Sequence, residues 1–305
     1  MSHPIIVGVA LRDDDGAPLA LGRDLARLMA APLALVHADL YDPPAAVPVP
    51  AYEADMRART LAALERLAEP LRDELEVTVH VGAGSSPAAV LHHAAQSLGA
   101  SLVVAGSSHR GPVGRVLPGS VTARLLHGAP TAVAVAPRGY AGERAMRWIG
   151  VAFIDTPESR DALDAGTLLA GLSGAAVRVL IVRKPVPVGS ALGVLGRVPP
   201  VTADELGSHQ AHAAAEIARA LLPDGVPAEI EVIDGGPARV LTAASAELDM
   251  LVCGSRGYGP LHAVMLGGVS RMLVDGAACP VLVLPRAAGQ TVALFARGHT
   301  AAVEG

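Results

Sequence analysis

Aromatic residues are nearly missing from this chain of 305 residues: two Phe, four Tyr and one Trp, 2% in all. Aliphatic side chains must therefore fill the interior, and short runs of Val, Leu, Ile and Ala suit strands covered on both faces by helices. Lysine occurs once, at Lys184, with Pro185 after it, so no Walker A loop with its Lys beside Ser or Thr can be written. Cysteine occurs twice, Cys253 and Cys279, each in an apolar run. That reads as a reduced, cytoplasmic core and excludes a disulfide or Cys-based metal framework. Basic residues are scattered and the formal net charge is −5, so no electrostatic footprint for nucleic acid exists. No apolar run approaches the roughly 20 residues that cross a bilayer, and MSHPIIVGVALRDDDG lacks the plan of a signal peptide. The expectation is a soluble cytoplasmic protein with no membrane or nucleic-acid partner.

What is abundant is apolar residues, 51% against 17% charged. At twice the usual domain size, the chain predicts two cores. It is also written twice. LVVAGSSHRGPVGRVLPGS from Leu102 and LVCGSRGYGPLHAVMLGGVS from Leu251 align Gly106 with Gly254, an offset of 148 that also puts Pro137-Arg138 on Pro285-Arg286. Near the start of each half, GVALRD from Gly8 matches GVAFID from Gly150 at an offset of 142. The boundaries expected are a first domain over 1–139, a second over 146–288 and a tail over 289–305. The tail, with its apolar VALFA, could cover a strand edge or have no fixed structure.

Each half alternates β-branched runs with helical patterns, the mark of an α/β fold with a parallel sheet between helices. Strands are expected near 4–10, 33–39, 76–81, 101–105 and 131–136, then near 147–153, 177–182, 228–233, 249–253 and 280–284. Four helices accompany each set, the second running from about Tyr52 to Arg72. The result is two Rossmann-like domains of five strands each. The Pro/Gly-rich segments from Asp42 and Lys184 are expected as surface loops.

In such sheets ligands bind at the carboxyl ends of the strands, where strand order reverses. The segment after the fourth strand is rich in glycine and leads into a helix, whose free N–H groups suit phosphate oxygens. Glycine also serves tight turns and close packing, so spacing alone is weak. In the second half Gly254, Gly257 and Gly267 form G-x2-G-x9-G before a final strand ending in V-x-V-x-P. This pattern resembles the nucleotide-binding motif of the universal stress protein family, and the likeness covers the chain once per half. The resemblance implies an adenine nucleotide alpha hydrolase-like fold, ATP or AMP as ligand with Mg2+ accompanying ATP, and a regulator of stress responses.

The motif is incomplete in both halves. Gly268 stands where binding members of the family usually have Ser or Thr, with Val269 and Ser270 following. In the first half Gly106, Gly119, Ser120 and Val121 fit, but His109 replaces the middle glycine and Gly111 comes two residues later. His109 beside Arg110 could donate to phosphate or be a solvated loop tip. Arg115, in the first spacer, has Ala263 as its counterpart, so phosphate affinity could differ between halves. The resemblance further implies an Asp at the end of the first strand, for which Asp13 and Asp155 are candidates, with helix capping the competing role for Asp155. Main-chain contact to adenine at Ala38 and Val182 is implied in the same way. It also implies pairing through the last strands, as a homodimer or as a pseudo-dimer of the two repeats, with 132–136 and 280–284 as the edges.

Enzyme readings find little. No G-x-S-x-G elbow or H-E-x-x-H helix occurs. His92 and His93 are neighbours that point to different helix faces, and His209 and His212 lack a third ligand. Asp13-Asp14-Asp15 reads as a solvated turn before a helix, although such a run could hold Mg2+. The expectation is a nucleotide-binding regulator without a catalytic residue. The alternatives are a scaffold that has lost its nucleotide and a slow ATPase.

Overall fold

The computed structural model describes residues 3–12, 15–39, 50–108, 110–142, 145–183, 200–255, 271, 273–285, 288, 292–293 and 295. The Pro/Gly-rich segments, Asp13, His109, Gly257 and the stretch Gly267–Ser270 lie outside them.

The first half supplies β1 (Ile5–Gly8), α1 (Gly16–Leu28), β2 (Leu33–Asp39), α2 (Pro50–Ala68), β3 (Val77–Ala83), α3 (Pro87–Ser97), β4 (Leu102–Gly106), α4 (Ser120–Leu125) and β5 (Ala132–Ala136). The second half supplies β6 (Trp148–Ala152), α5 (Pro157–Ser173), β7 (Ala176–Arg183), α6 (Pro200–Leu221), β8 (Ala228–Asp234), α7 (Pro237–Ala244), β9 (Met250–Gly254) and β10 (Val281–Leu284). Local chemistry explains several boundaries. Ser86 caps α3 by accepting from the Ala89 amide at 3.2 Å, with Pro87 at the first helical position. Thr156 and Ser159 form a reciprocal capping box on α5, and Gly174 ends that helix at φ 71°.

All ten strands join one sheet in the order β3-β2-β1-β4-β5-β10-β9-β6-β7-β8. Every pairing is parallel except β5 with β10, where Val133 faces Val283 in an antiparallel ladder. The edges expected to pair whole chains are thus used within one chain: β5 lies between β4 and β10, and β10 between β5 and β9. Of the two forms expected, the pseudo-dimer is the one seen within the chain, with β5 and β10 each flanked on both sides. The open edges are β3 and β8, and β8 carries Glu229, Glu231 and Asp234, charges that discourage another strand.

Alternation along each strand divides the interior into two layers. Ile5, Val7, Leu33, Leu35 and Val104 pack under α1 and α2, continuous with Val151, Val177 and the α5 residues Leu163 and Leu169. Ile6, Val36, Val103 and Val133 face α3 and α4, continuous with Leu251, Val281 and Leu241 of α7. Phe295 of the tail is 1% exposed in the first layer, and the Ala288 amide donates to Asp161 Oδ2 at 2.8 Å. Phe295 and Val292 of the tail thus pack into the first layer. Cys253 and Cys279 are buried and in no disulfide, and burial pushes the Cys279 thiol up to about 12.

The ladders also correct the repeat. Ile5 pairs with Leu33 and Leu102, whereas Ile149 pairs with Val177 and Met250. Ile149 is thus the counterpart of Ile5, an offset of 144 rather than the 142 read from GVALRD and GVAFID. Leu11 and Asp155, 144 apart, share the same left-handed backbone, φ 57° and 49°. Gly22 and Gly166 are pressed in the same way against Val7 and Val151. A slip of two residues keeps every strand side chain on its own face, so the hydrophobic pattern does not reveal it.

Tyr140, four residues after β5, donates its hydroxyl to Asp24 Oδ2 at 3.0 Å. Burial first, and the Asp24 charge second, raise the phenol above its ordinary value of 10. A raised folded-state value means stability that is complete below the unfolded value and declines as pH rises above it. Urea melts at pH 9 and pH 11 should therefore show a larger loss for wild type than for Tyr140→Phe. Equal losses would remove this role.

Candidate functional site

β1 feeds α1 on one face of the sheet, while the loop after β4 leads to α4 on the other. Their carboxyl ends diverge, and a cavity of about 610 Å³ opens there. Its apolar side is formed by Val9, Val36, Ala38, Pro87 and Leu91 and its polar end by Gly106, Ser107, Ser108, Gly119 and Ser120; Arg12 and Arg110 also line it.

The two ends follow from how the strands finish. β2 runs to Asp39, but its ladder with β1 stops at Gly8 opposite Val36, followed by the Val9 amide donating to the Val36 carbonyl at 2.9 Å. Leu33 donates to Glu76 beside β3. Main-chain groups alternate between neighbours along a strand, so those of Ala38, two beyond Val36, face the space above β1. The same parity holds in the second half, where the Phe153 amide donates to Leu180 and Val182 follows two later. His37 hydrogen-bonds the Val9 carbonyl through Nδ1 at 2.9 Å and also lines the cavity.

The loop after β4 is folded back on itself. Ser107 Oγ donates to the Ala136 carbonyl at 2.7 Å and accepts from Leu117 at 3.2 Å. Ser108 donates through its amide to the Leu117 carbonyl at 2.6 Å. Thr122 Oγ1 closes the helix end by donating to the Gly106 carbonyl at 2.8 Å. The glycines here are not equivalent. Gly114, at φ 77°, is needed for its turn. Gly111 is needed for packing, since a Cβ would stand 3.0 Å from the Leu117 Cβ. Gly119 is needed for neither: its φ is −72°, and a Cβ would meet nothing nearer than 3.8 Å.

At the end of β1 the important carboxylate is Asp15. It is 7% exposed and accepts from the amides of Ala10 and Arg12, each at 2.9 Å, holding the turn around Leu11. Its counterpart at the corrected offset is Ser159, whose hydroxyl accepts from the Thr156 amide at 3.0 Å. Asp155, in contrast, corresponds to Leu11 and pairs with Arg160 at 2.6 Å, while Thr156 caps the helix. Asp155 is thus neither the cap nor the partner of Asp13 in the repeat. Asp15 escaped the sequence reading because the third of three aspartates looks like a solvated helix start, and no local pattern signals that it turns back toward the strand.

Of the expected residues, Ala38, Gly106, Gly119, Ser120 and Val121 converge on the first cavity. Gly111 supports the loop without lining it. Asp13, His109, Gly257, Gly267, Gly268, Val269 and Ser270 lie outside the described residues. In the second half Gly254 meets a different neighbour. Gly106 would place a Cβ 3.2 Å from the Pro18 ring, but Gly254 would place one 2.4 Å from the main-chain oxygen of Glu158. α5 begins three residues earlier in the repeat than α1, and its first turn lies directly on the end of β9.

The universal stress protein family model matches residues 1–137 and again 146–285. The chain belongs to that family. It is 32% identical over 238 residues to the universal stress protein Rv2319c of Mycobacterium tuberculosis, covering 72% of this chain and 76% of that one. Among solved structures it is similar to a universal stress protein from Archaeoglobus fulgidus, with TM-score 0.70 at 18% identity over 94% of this chain and 99% of that one. A putative universal stress protein from Pseudomonas aeruginosa gives TM-score 0.67 at 18% identity over 98% of each chain. These two likenesses establish the Rossmann-like tandem fold. Among the described residues no helix is long and apolar enough to cross a membrane.

Proposed function

We propose that the first-half crevice binds an adenine nucleotide, ATP or AMP, and that the protein acts as a cytoplasmic, nucleotide-responsive stress regulator. The observation that carries this reading is Gly119. A glycine that neither turn nor packing requires, at the polar end of a cavity and directly before the first amides of a helix, suits close approach of a phosphate. Adenine fits the apolar end, where Val9, Val36 and Leu91 form the walls and the open main chain of Ala38 offers one donor and one acceptor. Arg12 and Arg110 line the same cavity and supply positive charge to it. Mg2+ would arrive with ATP, because the Asp15 carboxylate is already engaged by two amides.

The second half contributes differently. The first turn of α5 on Gly254 favours a single nucleotide per chain, held in the first half. Equilibrium dialysis of the full chain against ATP and AMP should saturate near one equivalent. No binding at about millimolar ligand, which corresponds to about −4 kcal/mol, would remove the reading.

A further inference from the structure

The spacer of the first-half glycine loop reaches across to the other repeat. The Val116 amide donates to the Ala277 carbonyl at 2.8 Å, and its side chain is fully buried in the layer that also holds Leu273 and Val281. Arg115 Nη1 donates to the Gly276 carbonyl at 3.0 Å. Those two carbonyls follow a turn in which the amides of Gly276 and Ala277 donate to the Leu273 carbonyl at 3.2 and 2.9 Å. Carbonyls at such a helical end carry partial negative charge and favour a cation. Arg115 does not line the cavity. The counterpart of Arg115 is Ala263, which has no side-chain donor, so the second repeat cannot return this contact through that position.

We infer that Arg115 is a positioning residue: it clamps the phosphate-side loop of the first-half crevice onto the second repeat, so that nucleotide binding in one repeat depends on the other. This rests on the nucleotide reading of the crevice. The loop from Ser107 to Pro118 is closed by an isolated bridge between those two residues and by Ser108–Leu117. Fixing its later part, Arg115 and Val116, on a separate body spares the ligand part of the entropy of ordering it. By linkage, bound nucleotide should in turn strengthen the contact between repeats.

The test compares wild type, Arg115→Ala and Arg115→Lys as full chains. Without ligand, hydrogen exchange of the amides over 108–117 should accelerate in Arg115→Ala while the strands keep their protection. Loss of this charge-assisted bond should weaken ATP binding about three- to tenfold, and Lys, which can still reach one carbonyl, should restore most of it. The dependence of affinity on salt should match that of wild type, since a clamp removes no charge from the phosphates. Unchanged exchange, or unchanged affinity beside normal wild-type binding, overturns the inference alone. A flatter salt dependence would make Arg115 a direct phosphate ligand and also overturn it. A wild type that binds no ATP removes the crevice reading, and the inference about binding falls with it.

Discussion

Gly119→Val is expected to lower ATP affinity about tenfold or more while leaving the melting temperature within about 2 °C of wild type. The two halves of this expectation rest on different facts. At φ −72° and ψ 174° the backbone is one that valine adopts readily, and replacing a glycine removes freedom from the unfolded chain. A Cβ there would stand 3.8 Å from Ser108, which also lines the cavity, so the fold has room for it. The valine branches, however, take up space at the polar end, in front of the Ser120 and Val121 amides. Calorimetric titration with ATP and a thermal melt separate the effects, and Gly119→Ala should fall between. Wild-type affinity in the valine variant would exclude the loop from the site. A drop of several degrees with binding intact would make Gly119 a structural glycine after all.

Gly254→Ala should do the reverse, costing about 2–3 kcal/mol of stability and several degrees of melting temperature. The Cβ would lie 2.4 Å from the Glu158 oxygen and 2.8 Å from its carbonyl carbon. Those are main-chain atoms in the first turn of α5, so no side chain can rotate out of the way. The turn must move as a unit, and with it the Thr156–Ser159 capping box, itself worth about 1 kcal/mol. Gly106→Ala meets only the Pro18 ring at 3.2–3.3 Å and should cost about 1 kcal/mol or less. Urea denaturation of both variants checks the contrast. Equal losses would mean that the two strand ends are packed alike and would undo the argument for asymmetric halves.

The site was legible only in part. Gly106, Gly119, Ser120 and Val121 stand out because a glycine loop is a local feature, read from a few consecutive residues, while Ala38 came from the family resemblance. Asp15 and the clamp at Arg115 were not legible, because each depends on where a distant segment passes. The aspartate run gives no hint that its last member serves the Ala10 and Arg12 amides. Arg115 reads as a free cation until Gly276 arrives 161 residues later in the chain. Even the repeat was misplaced by two residues in the first strand, since alternation with period two is blind to that slip.

Composition, alternation and the long repeat were enough to place the ten strands and the helical layers, since these follow from short-range patterns that recur in each half; the family came from the resemblance of the glycine motif. Beyond the unequal glycine loops, which the sequence already shows, the fold decided how the two copies meet and how differently their strand ends are packed. The antiparallel seam of β5 with β10 removes both inner edges and brings the 276–277 turn against the loop that Arg115 and Val116 belong to. The earlier start of α5 sets a carbonyl on Gly254, where the first half has only a proline ring. Such differences arise from contacts between segments far apart in the chain, and no local pattern encodes them.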